Sequence, residues 1–450
     1  MFDLKSLSES ATQAANTLGI EKFDIYGNIS DDLSLRVKAG TLEQVSSHQR
    51  ANVLVRVWSA KKSIGVATTT DHSAEGLRAA LGVAAEAAIY GSTENAPDFS
   101  PEANTPCVKN TEKSVAKFTE FSVLLNSLLD AEKRVLNAHP AIESVPYNSL
   151  SESMRTRFYL NSVGAQKTEQ ISTASVYLYT KTNEQNKKPR SGHDAQAAVS
   201  FPLLNLENCV QNTISNTLSH LNYKKIQSGN YLTVFSPEAL LSLIGAFQGM
   251  FDAQKILDSQ SLSKAETLGS QIASDWLTVA DDPLNLAHVG GHSFDGEGTP
   301  TRITTLIENG ILKSFMHSSV TARRMNQQLT GHANMGAKIT LGTHFMHVSR
   351  NPNKKILAER NIKDEKALIY IEDLQSLHAG VNANQGSFSL PFSGWIIENG
   401  VKTSIEQATV AGDILKLLKE IVYIDKKETP THSGIAPEVW VGALSITCEG

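Results

Sequence analysis

Two segments of this chain repeat one pattern, TTLIENGILKS at 304–314 and GWIIENGVKTS at 394–404. In each, Glu-Asn-Gly sits between apolar strand residues, and Asn-Gly supplies the positive φ that a two-residue hairpin turn demands. A tight hairpin fixes antiparallel pairing and register together. The C-terminal half is therefore expected to be organised around a sheet, with residues 301–314 as scaffold. The same period of two runs through DLSLRVKAGTLEQVSSHQ, where Leu33, Leu35 and Val37 alternate with Ser34, Arg36 and Lys38 and KAG reads as the turn. It continues through Val53, Val55 and Val57 and again over 154–180.

Helical spacing interrupts this strand text. Leu4, Leu7, Ala11, Ala14, Ala15 and Leu18 share one face, and Gly19 is a natural stop. Leu77, Leu81, Ala84 and Ala88 do the same within 73–90, and further helices are predicted over about 112–138, 203–222, 237–256 and 412–420. The order helix, strands, helix occurs twice before residue 225, which predicts an α+β fold rather than alternating β and α units. At 450 residues the chain exceeds one ordinary core. The expected division is an N-terminal α+β domain at 1–225, in two loosely similar halves, and a strand-rich C-terminal domain at 226–450. Residues 91–111, with Gly, Ser, Asn and three prolines, read as a linker, and 182–194 as an exposed loop.

The chemistry is less explicit. A net charge of −5 gives no support for nucleic-acid binding. No apolar run is long enough to span a bilayer, and the first residues lack the pattern of a signal peptide. Cys107, Cys209 and Cys448 are isolated, which fits a reducing cytoplasm and speaks against both a disulfide framework and a zinc ribbon. None of the thirteen histidines is followed by glutamate, and none lies between His220 and His288. His344 and His347 (HFMH), with His332 upstream, are a poor metal set, because positions i and i+3 of a strand face opposite sides. They are expected to be packed or surface histidines, and the chain to hold no metal or cofactor of its own. A nucleophile elbow and a phosphate loop are both absent from the text.

Asp295 and Glu297, in GGHSFDGEG, remain. Two residues apart in an extended loop, they are a possible acid/base pair. The competing reading, which we favour, has glycines 296 and 298 taking positive φ while the carboxylates cap backbone N–H groups. Arg323 and Arg324, on a short helical pattern, are candidates for binding a peptide carboxylate, with His332 nearby, against the alternative of a solvated basic face.

The C-terminal half resembles the TldD/PmbA family of peptidase proteins, once called modulators of DNA gyrase. The resemblance rests on DWLTVADDP (275–283), FDGEGTPTRITTLIENGILKSF (294–315), TARR with TGHAN (321–334), GWIIENGVKTSIEQATVAGDILKLLKEI (394–421) and IAPEVWVGALSI (435–446), in that order. It implies two branches. TldD-like members carry an H-E-x-x-x-H helix and a later cysteine as metal ligands, whereas PmbA/TldE-like members lack them. Here the corresponding helix, SPEALLSLIGAFQGMFDAQK (236–255), offers only Glu238. The resemblance thus implies a metal-free subunit that pairs with a zinc-bearing TldD-like chain on unfolded or precursor peptides. The alternatives are a non-proteolytic regulator of the DNA gyrase modulator type and a homodimeric hydrolase using Asp295 and Glu297.

Overall fold

The computed structural model describes residues 2–93, 96–108, 116–336, 338–354 and 359–448. The fold is α+β; the described residues form two large sheets and a small two-stranded one at Ala333–Asn334 and Thr340–Leu341. The first has six strands in the order β3-β2-β1-β4-β5-β6. Its long members are β1 (Lys22–Lys38), β2 (Thr41–Trp58), β4 (Ile142–Asn161) and β5 (Gln166–Thr182), with short edges β3 (Ile64–Thr69) and β6 (His193–Ala198). The alternation read from the sequence is what divides its two faces. Phe23, Ile25, Leu35 and Val37 of β1 lie with Val53, Val55, Val57, Phe158 and Leu160 under the helices. Those helices are α1 (Leu4–Leu18) and α2 (Ala74–Ile89) over one half, and α3 (Phe121–Asn137) and α4 (Leu206–Ser219) over the other. Gly19 ends α1 at φ 69°, as its position predicts. The intervening residues, Asp24, Tyr26, Arg56, Arg157, Tyr159 and Glu169, face away from these helices, as the cross-strand pairs show.

That polar face meets the glycine-rich segment 290–300, through Phe294 and Glu297. The second sheet has thirteen strands. There Gly229–Phe235 runs between Ala367–Leu374, parallel to it, and Gly434–Cys448, antiparallel. Both predicted hairpin turns form. Asn309 and Gly310 take φ of 51° and 81°, and Asn399 and Gly400 take 49° and 78°. The helical text at 237–256 breaks into α5 (Pro237–Ala246), a 3-10 turn and α6 (Ala253–Leu257), after which α7 covers Ser319–Met325. α5 is clamped in the main core through Leu240, Leu241, Leu243 and Ile244.

Two expectations change. The helix predicted from about residue 112 starts at Phe121 among the described residues, and 109–115 lie outside them. Side chains of the sheet capture the preceding N–H groups: Ser172 Oγ accepts from Ala116, and Glu152 from Thr119. The described part of 91–111, read as a linker, docks as a strap. Trp58 Nε1 donates to the Pro97 carbonyl at 2.8 Å, Ser100 Oγ meets Thr299 Oγ at 2.8 Å, and Ala103 is buried. Its Pro-rich composition forbids regular structure but not docking. The loop at 182–194 is likewise pinned by Arg190, which donates to Ser404 Oγ and to the Ile405 and Glu406 carbonyls. Among the described residues no helix is long and apolar enough to cross a membrane.

Candidate functional site

The glycine-rich segment 290–300 sits against the polar face of the first sheet. Asp295 Oδ1 accepts from the N–H groups of Glu297 and Thr299, each at 2.9 Å, and Oδ2 from Ala333 at 3.0 Å. Glu297 accepts from the Ser319 N–H and hydroxyl, each at 2.7 Å, and stands 3.8 Å from Arg56 Nη1. Arg56 is bidentate on Asp24 at 2.8 and 2.5 Å, and the Tyr159 hydroxyl donates to the same carboxylate at 3.1 Å. Burial, then the Glu297 charge, pushes Asp295 up to about 7, and burial also raises Glu297 against the pull of Arg56. Both carboxylates are sealed, at 2% and 0% exposure. The geometry is that of a capped turn. Gly298 adopts φ 74°, but Gly296 does not take the positive φ expected of it; a Cβ there would lie 2.6 Å from the Met335 nitrogen.

A second cluster lies at the end of strand Leu277–Asp281. Leu277, Val279 and Asp281 all point inward, so a carboxylate occupies an apolar position of the strand. Asp281 Oδ1 accepts from the N–H groups of His344 and Phe345 at 2.7 and 2.8 Å. Oδ2 faces His332 Nε2 at 3.0 Å and His344 Nδ1 at 2.9 Å. Burial opposes ionisation of Asp281, but the two imidazoles outweigh it and hold the carboxyl far below its usual range. His292 is the next imidazole, 6.4 Å ring to ring from His344, and its buried Nδ1 has no hydrogen-bond partner. Burial and then Arg157 keep His292 neutral. Of the histidines expected to be packed or at the surface, His332 and His344 converge on Asp281, while His347 turns away to Glu428. Candidate His332 is fully buried here, out of reach of a peptide. Arg323 and Arg324 are exposed on α7, and Arg323 Nη2 donates to the Ala96 carbonyl of the strap at 3.0 Å.

The third feature flanks α5, which is capped by Ser236 Oγ accepting from Ala239 at 3.0 Å. Glu238 lines a cleft of about 380 Å³ together with Tyr370, Glu372, Trp395 and Lys402. An adjoining cavity of about 500 Å³ shares Tyr370 and Lys402 and adds Arg360, Glu438 and Trp440. Lys402 Nζ stands 3.3 Å over the Trp395 ring, and burial lowers its pKa. Beneath, His220 stacks on Trp395 at 4.8 Å and bridges Ser404 and Glu372, each at 2.7 Å. Aromatic platforms flanked by carboxylates and one ammonium suit an extended peptide. The sequence reading found none of these residues except Glu238, because they come from segments that only the sheet brings together.

The family model of the PmbA/TldA metallopeptidase C-terminal domain matches residues 228–448, and that of domain 1 matches 23–88. A metalloprotease of Methanocaldococcus jannaschii is 25% identical over 90% of this chain and 89% of its own length. A metalloprotease PmbA homolog of Haemophilus influenzae is 22% identical, covering 92% and 89%. Among solved structures, TldE from Thermococcus kodakarensis superposes with a TM-score of 0.85 at 21% identity over 99% of both chains. A Thermotoga maritima structure described as a modulator of a DNA gyrase gives 0.86 at 23%, over 99% of this chain and 100% of that one. Two domain models in the family's order, with relatives and fold matching over nearly the whole length, make this chain a member of the PmbA/TldD metallopeptidase family.

Proposed function

We propose that this chain is the subunit without the catalytic zinc in a cytoplasmic TldD/PmbA-type peptidase complex, and that it helps hold unfolded or precursor peptides for a zinc-bearing TldD-like partner. The observation that carries the reading is α5. The sequence resemblance aligns it with the helix that bears H-E-x-x-x-H in TldD-like members, yet it offers Glu238 and no imidazole, and a hydrolytic zinc site requires such ligands. Beside it the cleft lined by Tyr370, Trp395 and Lys402 remains suited to a peptide. Strand-rich architecture adds a sequence-tolerant binding mode, since an extended peptide can pair with an open sheet edge.

The test is reconstitution with a TldD-like chain from the same organism. The two chains are expected to co-elute as a heterodimer burying at least about 1,000 Å² and to hydrolyse an unfolded peptide in a chelator-sensitive manner. A partner-binding regulator of the gyrase-modulator type would instead leave every mixture without turnover.

A further inference from the structure

A site separate from the peptide cleft rests on Asp281, His332 and His344. Their ligand atoms lie within 4.8 Å of one another, and all three residues are buried or nearly so. Each is held by its own segment. Asp281 ends one strand, and His344 lies two residues before the neighbouring strand Met346–Arg350 that pairs with it. His332 follows Gly331, whose φ of 74° and close approach to the Pro300 carbonyl leave no room for a side chain. The carboxylate is oriented as a ligating carboxylate is: two backbone N–H groups occupy Oδ1, and Oδ2 is turned to the imidazoles.

Distances fit one small ion. Two imidazoles on a tetrahedral ion with bonds of ~2.0–2.1 Å place their ring centroids about 5 Å apart, and the His332 and His344 centroids are 5.0 Å apart. Nitrogen and carboxylate ligands of such a tetrahedral ion are separated by roughly 3.3–3.4 Å, so the hydrogen-bonded pairs at 3.0 and 2.9 Å need open by only a few tenths of an ångström to admit it. Two nitrogens and one oxygen select a zinc-class transition ion over calcium or magnesium. His292 is the next imidazole out, 6.4 Å ring to ring from His344, with its Nδ1 facing Glu169 at 3.6 Å.

We propose that Asp281 Oδ2, His332 Nε2 and His344 Nδ1 bind one zinc-class divalent cation as a structural centre tying the strand end to the histidine loops. The proposal departs from the expectation of a chain free of metal, and it does not depend on the peptidase reading, because none of its ligands lies on α5. Binding needs no net proton release. The proton that each ring gives to Asp281 moves to that ring's other nitrogen, and the freed lone pair goes to the ion.

The experiment uses the untagged full-length chain, stripped with chelator and titrated with cobalt(II), reading metal content and visible ligand-field absorption. One equivalent is expected, with the spectrum of a four-coordinate nitrogen/oxygen site and a raised melting temperature when zinc replaces cobalt. His344→Gln and His332→Gln should each weaken binding at least about tenfold, whereas His347→Gln should not change it. Wild-type protein that takes up no cobalt overturns the proposal without recourse to any variant. So does uptake that survives both ligand substitutions.

Discussion

Gly298→Ala probes the contact between segment 290–300 and the first sheet, because the glycine is required there twice. Its φ of 74° costs an alanine about 1–2 kcal/mol. The added Cβ would also lie 2.5 Å from Tyr159 Cδ1 and 2.7 Å from Cε1, on a ring fully enclosed by the first sheet and the Phe294 cluster. Forcing a methyl into such packing costs a further ~1–3 kcal/mol. Gly40 is the matched control: it turns the β1–β2 hairpin at φ 75° with nothing within 4 Å of a built Cβ. Gly40→Ala should therefore lose the backbone term alone, and Gly298→Ala about 1–3 kcal/mol more by equilibrium urea unfolding. The excess should shrink in a Tyr159→Leu background, where a double-mutant cycle reads the contact directly. Equal losses at both glycines, or an excess unmoved by Tyr159→Leu, would refute the claim that this turn is packed against the first sheet.

Two further outcomes follow from the buried carboxylates. Glu297→Gln keeps an acceptor for Ser319 but removes the charge facing Arg56. It should cost about 1–3 kcal/mol while peptide turnover of the reconstituted complex survives below the melting transition; a well-folded complex with abolished hydrolysis would make Glu297 catalytic after all. Asp295 carries a folded-state pKa raised to about 7. The native state therefore binds more protons than the unfolded chain between the ordinary aspartate range and neutrality, and the Asp295 contribution is present in acid and lost as pH rises through that window. Denaturation at a series of pH values should show a shallower decline with rising pH in Asp295→Asn, and an unchanged slope would contradict the assignment.

What the sequence disclosed follows the range of its interactions. Asn309-Gly310 and Asn399-Gly400 were legible because a hairpin turn is decided by two adjacent residues. The helix-facing side of β1 was legible because its alternation is local. The start of α3 was not, since Ser172 and Glu152, distant in sequence, capture the N–H groups ahead of it. The carboxylates of FDGEG accept backbone N–H groups, which the glycines beside them suggested, but that their surroundings are Arg56, Asp24 and Tyr159 depends on which face of the first sheet the segment packs on. Asp281 carried one readable sign, a charge at the inward position after Leu277 and Val279. The spacing of His332 and His344 said nothing of it, because both reach Asp281 from separate loops.

The division of labour between two chains is tested most directly by continuous variation. Total protein is held constant while the ratio of this chain to its TldD-like partner is varied, and hydrolysis of an unfolded peptide is followed. The account predicts no turnover with this chain alone, with or without added zinc, and a maximum near equal amounts of the two. Hydrolysis by this chain alone that persists in chelator, after removal of contaminating proteases, would contradict it.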